Sequence, residues 1–195
     1  MDHAILKFLH VLGAVLIGAG LIGVWMSDLR SRQLRELAPF AEAVRNIAVF
    51  YDGVVVPGAL LLLVSGTWLI VEFYGGWSFL QIPWLAGMVA LFAFEFIEGN
   101  TVTRLYFMRL RRITTTALAA GYVTADLARA RGETVPTFTH FLDMPTLFLI
   151  IALGTLQPTD WTLFLVGSGL AIALATLLTI VIPRLYPWGR DQGGG

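Results

Sequence analysis

The sequence contains no cysteine. Disulfides, thiolate-held zinc or iron–sulfur clusters, thiol nucleophiles and covalent c-type haem attachment are therefore excluded. Charge is scarce as well: 13% of the 195 residues are Asp, Glu, Lys or Arg, about half the share in a soluble domain. Thirteen acidic and thirteen basic side chains cancel, so no net positive field points to nucleic acid. The chain also lacks a phosphate-cradling glycine-rich loop, a Ser-His-Asp arrangement and an HExxH pair. Nothing supports hydrolase chemistry.

What is abundant is apolar surface. Hydrophobic residues make up 57% of the chain and its mean hydropathy is +0.76. A water-soluble globule could not cover that surface with polar groups, so the lipid bilayer is its solvent. A membrane-crossing helix needs about 20 mostly apolar residues. Segments 4–26, 46–73, 83–107, 138–157 and 161–183 meet that requirement. They predict an all-α integral membrane bundle of five transmembrane helices, a single unit over 1–195 with no internal repeat. The only low-complexity tract is Gly193-Gly194-Gly195.

The basic residues predict the orientation. Arg30, Arg32, Arg35 and Arg45 lie between spans one and two. Arg104, Arg109, Arg111, Arg112, Arg129 and Arg131 lie between the inner end of span three and span four, and Arg184 and Arg190 end span five. Loops 74–82 and 158–160 carry no Lys or Arg. Basic loops stay cytoplasmic, which puts the N-terminus outside and the C-terminus inside. Trp68, Trp77, Trp84 and Trp161 then form an outer aromatic belt, Trp25 and Trp188 an inner one. Span one lacks the basic start and cleavage site of a signal peptide. Residues 28–44 predict a short amphipathic helix on the inner leaflet, with arginines toward anionic lipid; a docking surface for a soluble partner is the alternative.

An ionisable group inside a span costs about 2.5–3.5 kcal/mol on insertion scales, so each needs a partner or a purpose. Lys7, His10, Asp52, Glu95, Glu98 and Asp143 fall inside spans, with Glu72 and His140 near span ends. At roughly 1.5 Å per residue they form two layers. In the outer one His3, Lys7 and His10 share a face of span one at i, i+4, i+7 spacing. Neutral imidazole is a usual axial ligand of haem iron, and Met88 is the soft side chain at matching depth, so His10 and Met88 are candidate ligands of a b-type haem. The alternative is a histidine hydrogen-bonded to a neighbouring helix.

In the inner layer Glu95 and Glu98 are i, i+3 on span three, and His140 and Asp143 are i, i+3 on span four. Asp52 comes from span two, beside Tyr51. Carboxylates and a histidine projecting from several helices build bundle metal sites. Asp52, Glu95, Glu98, His140 and Asp143 are thus candidate ligands of a divalent transition metal. Proton or cation handling by the same acids, and structural pairing with Arg45 and Arg104, stay open. If the acids converge, mutual repulsion forbids them all to ionise together without a cation. Gly53 and Pro57-Gly58 predict a kink in span two. The small faces Gly13, Ala14, Gly18, Ala19, Gly20, Gly23 and Gly167, Ala171, Ala175 suit close packing, within the bundle or in a homo-oligomer.

The stretch Lys7-Phe8-Leu9-His10-Val11-Leu12-Gly13-Ala14, followed by Gly18 and Gly20, resembles the first helix of several bacterial membrane families: copper-resistance protein D-like proteins, HemJ-type protoporphyrinogen oxidases and the membrane domain of bacterial urate oxidases. The wider pattern is most similar to predicted integral membrane proteins called domain of unknown function 2269. It comprises His10, Asp52 before Pro57-Gly58, Ser65-Gly66, Pro83-Trp84-Leu85 and Pro145, over about residues 4–158. The resemblance implies the bacterial inner membrane and, through the HemJ-type proteins, haem at His10 alone. Glu95, Glu98 and Asp143 are not assigned to that pattern. The expected function is a small redox-associated membrane protein holding a b-type haem or a transition metal, beside a larger membrane redox partner. A proton- or cation-coupled carrier and a ligand-free structural subunit are the alternatives.

Overall fold

In the computed structural model, residues 2–186 are described; Trp188, Arg190 and Gly193-Gly194-Gly195 lie outside them. Within them the chain is helical: α1 His3–Gln33, α2 Leu37–Phe50, α3 Val56–Phe73, α4 Pro83–Glu98, α5 Arg104–Ala120, α6 Ala125–Arg131, α7 Thr134–Leu156 and α8 Thr162–Leu185. One π-turn, Tyr51–Val55, joins α2 to α3 and another, Gly99–Thr103, joins α4 to α5. A 3₁₀ turn, Gly76–Gln81, leads into Pro83 at the start of α4.

Among the described residues, five helical stretches are long and apolar enough to cross a membrane: His3–Gln33, Leu37–Phe73, Pro83–Ala120, Thr134–Leu156 and Thr162–Leu185. The first three exceed the expected spans. Their 31, 37 and 38 residues rise about 46–57 Å, against a hydrocarbon core of about 30 Å, and the excess lies at the arginine-rich end. Residues 28–44 therefore do not form one surface helix. The chain turns at Leu34, where the backbone is extended, and the two halves continue the long helices on either side. Arg32, expected on a lipid-facing surface, is buried and paired with Asp28. The protruding ends pack through Phe40, Val44, Leu110, Ala117, Leu127 and Ala130. Gly121 ends α5 in the left-handed conformation, φ 80°, and the Thr124 hydroxyl caps α6 at Leu127 N–H.

Close backbone approach holds α1 to α3. A Cβ on Gly13 would stand 2.9 Å from the Leu62 nitrogen, and one on Gly58 2.9 Å from the Ile17 nitrogen. Glycine is what lets these backbones touch. On α8, Ala171 and Ala175 are buried against Phe141 and Leu142 of α7, so this small face packs within the bundle. Trp25, expected in an interfacial belt, is turned inward, and its indole donates to the His140 carbonyl at 3.1 Å.

The expected kink in span two takes the form of the first π-turn. The i→i+5 pattern accommodates an extra residue just before Pro57. The Tyr51 hydroxyl donates to the Gly99 carbonyl at 2.9 Å, which ties the two π-turns together. A Cβ at Gly99 would lie 2.6 Å from that hydroxyl oxygen.

Candidate functional site

Two i, i+3 pairs on facing helices build the centre of the bundle, because side chains three apart share a helix face. Glu95 and Glu98 occupy the last turn of α4, and His140 and Asp143 an inner turn of α7. Glu95, Glu98 and Asp143 each offer an oxygen such that all three lie within 4.8 Å of one another. Glu98 and Asp143 are buried, Glu95 partly so.

Glu98 is anchored. It accepts from the Thr103 hydroxyl at 2.8 Å, and Thr139 lies 3.0 Å from Thr103. With the Thr103 proton engaged on Glu98, Thr139 is the donor of that second bond. Among the described residues, Glu95 Oε1 and Asp143 Oδ2 are buried without a hydrogen-bond partner, as are both ring nitrogens of His140. A buried carboxylate oxygen with no donor is costly, and three carboxylates this close cannot all carry charge unless a proton or cation joins them. A cavity of about 70 Å³ adjoins the cluster, lined by the polar residues Glu95, Asp143, Asn100 and Tyr51 and by apolar ones that include Leu62, Phe92 and Leu147.

His140 is 1% exposed and lies between two acids. Its Nε2 is 3.6 Å from Asp28 Oδ2 and its Nδ1 4.0 Å from Asp143 Oδ2. Phe107 meets the ring edge-on, with centroids 5.3 Å apart. Asp28 in turn accepts from Arg32 Nε at 2.7 Å. Asp28 was passed over in the sequence because it lies beyond the apolar stretch of span one. The signal that could have found it is the Asp28–Arg32 i, i+4 spacing.

Asp52 is not brought to this group. Tyr51 takes the inward position of the π-turn and Asp52 points away; its carboxylate accepts from Arg104 Nε at 2.8 Å and both side chains are about two-fifths exposed. Of the pairings weighed for these acids, the one with Arg104 is present at Asp52, whereas Arg45 pairs with Glu42.

At the other end His10 lies against α3. Its Nδ1 is 3.3 Å from Ser65 Oγ, and its ring edge would touch a Cβ placed on Gly66. Ser65 gives its proton to the Leu61 carbonyl at 2.6 Å. His10 Nδ1–H is then the donor to Ser65, and the Leu62 backbone lies within reach of the same ring. The Met88 sulfur lies against Gly154 of α7, a different helix pair from the one that holds His10. His3 stacks edge-on with Phe73, Lys7 is exposed, and so is Glu72.

Comparison with known families gives a match over most of the chain. The model for DUF2269, described as a predicted integral membrane protein, matches residues 4–158, a range that contains every candidate site residue and ends before α8. No curated protein and no solved structure matches the chain.

Proposed function

We propose a function for a chain that belongs to the DUF2269 family of predicted integral membrane proteins: it holds one divalent transition-metal ion inside the bilayer, between α4 and α7. The observation that carries this reading is the convergence of Glu95, Glu98 and Asp143 within 4.8 Å, with one buried oxygen each on Glu95 and Asp143 that has no hydrogen-bond partner among the described residues. Oxygen donors with a neighbouring imidazole suit iron or manganese. A divalent ion would supply the positive charge that lets the three acids ionise together, and an iron or manganese ion there would give a membrane redox partner a centre to exchange electrons with. The same acids support a second reading, a proton- or cation-coupled carrier. It is favoured by the adjoining cavity of about 70 Å³, since a water needs about 10–15 Å³ of such volume.

Metal analysis and an absorbance spectrum of the purified protein test these readings together. Stoichiometric metal without a Soret band is the expected result, and no metal would overturn it in favour of the carrier. A Soret band lost in His10→Ala would instead establish haem at His10. We further propose that the protein lies in the bacterial inner membrane with its arginine-rich end in the cytoplasm. A cysteine replacing exposed Ser78 should react with an impermeant thiol reagent in whole cells, and one replacing exposed Arg111 should not. The reverse pattern would invert the topology.

A further inference from the structure

We infer that His140 is the nitrogen ligand of the proposed metal and that Asp28, a residue from another helix, is the positioning residue that aims it. This inference rests on the metal reading of the acid cluster and adds a fourth ligand and its support. Metal-bound histidines donate their second ring N–H to a carboxylate, which fixes tautomer and ring orientation. His140 stands in that relation to two acids: Nε2 faces Asp28 Oδ2 at 3.6 Å and Nδ1 faces Asp143 Oδ2 at 4.0 Å. Asp28 is held as an acceptor by Arg32, whose Nε donates to the same Oδ2 at 2.7 Å. A neutral imidazole with its proton on Nε2, the nitrogen that faces Asp28, turns its Nδ1 lone pair toward Asp143. A lone pair and a carboxylate oxygen across 4.0 Å repel each other unless a cation or a proton lies between them. Two metal–ligand bonds of about 2.0–2.2 Å span at most about 4.4 Å, so one ion reaches both atoms. The ring cannot easily swing elsewhere. Phe107 and Phe141 pack against it with centroids 5.3 and 5.2 Å away, and the Trp25 indole holds the His140 carbonyl.

The test is binding of Co²⁺ and Mg²⁺ to the purified protein and to Asp28→Asn, His140→Ala and the double variant. Loss of an outer-shell partner lowers metal affinity about 10–100-fold, so Asp28→Asn should weaken Co²⁺ by that factor. Mg²⁺, which prefers oxygen, should change little. His140→Ala should shift the Co²⁺ absorption bands, and adding Asp28→Asn to it should cost nothing more, because both changes remove the same interaction. Asp28→Asn weakens the Arg32–Asp28 ion pair, so an apolar replacement of the pair, Asp28→Leu with Arg32→Met, gives a second route to the same loss. Wild-type binding with unchanged Co²⁺ affinity in the folded Asp28 variants would overturn this inference and leave the acid site intact. Absence of Co²⁺ binding in the wild type would instead overturn the acid site itself, and this inference with it.

Discussion

The two polar layers of the bundle start from similar material and end differently. His3, Lys7 and His10 lie along one helix and meet their surroundings one at a time: a phenyl ring, the exposed surface, and a serine on α3. Glu95, Glu98, His140 and Asp143 come as two pairs from two helices that pack face to face, and several of their buried atoms have no hydrogen-bond partner among the described residues. Polar groups that face a neighbouring helix's hydroxyls and backbone are satisfied locally. Polar groups that face each other in a low-dielectric interior need something between them. That difference is why the acid layer, and not the histidine layer, carries the functional proposal.

The sharpest way to break this comparison is to remove an acid. Asp143→Asn or Glu98→Gln takes away a direct ligand, so metal affinity should fall by more than the about 10–100-fold of an outer-shell change; isothermal titration of the purified protein reads it. Retention of full affinity would put the two layers on the same structural footing. Next in size is Gly99→Ala. Its Cβ would stand 2.6 Å from the Tyr51 oxygen, so it should cost about 1–3 kcal/mol as overpacking does, seen as a lower thermal midpoint in detergent, and it should weaken metal binding because Glu98 adjoins the displaced turn.

His10→Ala removes one half-buried hydrogen bond to Ser65 and should cost about 0.5–1.5 kcal/mol with metal content unchanged. A loss of bound metal would show that the two layers are coupled. The smallest effect belongs to Asp52→Asn. Its pair with Arg104 is about two-fifths exposed, and such pairs contribute about 0–1 kcal/mol. Metal affinity should stay within about twofold, as the pair lies outside the cluster and exposed charges are screened. A large drop would return Asp52 to the acid group.

Much of the site was legible. The i, i+3 spacings of Glu95–Glu98 and His140–Asp143 put each pair on one face, since helix periodicity is local. Their similar depth follows from the helical rise. What spacing could not reveal is the rotation of each helix about its axis. Asp52 has the right depth and the wrong direction, because successive side chains are about 100° apart and Tyr51 occupies the inward place. Asp28 was missed for a related reason. Beyond the apolar stretch an acid reads as solvated, yet α1 runs on to Gln33 and Asp28 ends 3% exposed.

Composition and hydropathy by themselves determined that this is a membrane protein of five crossing helices, because apolar length is a property of contiguous residues and the bilayer imposes one thickness on all of them. The short-range pairs that share a helix face were determined the same way. Only the tertiary structure decided which pairs meet. Two π-turns, invisible in hydropathy, each insert about one residue, or roughly 100° of rotation, and so set the phase of the side chains that follow within the same continuous helix. Glycines at Gly13, Gly58 and Gly99 then fix how closely the rotated faces approach. Rotation and approach arise from contacts between residues far apart in the chain, and those contacts bring Glu95 and Glu98 against Asp143, set His140 beside them, and turn Asp52 outward to Arg104.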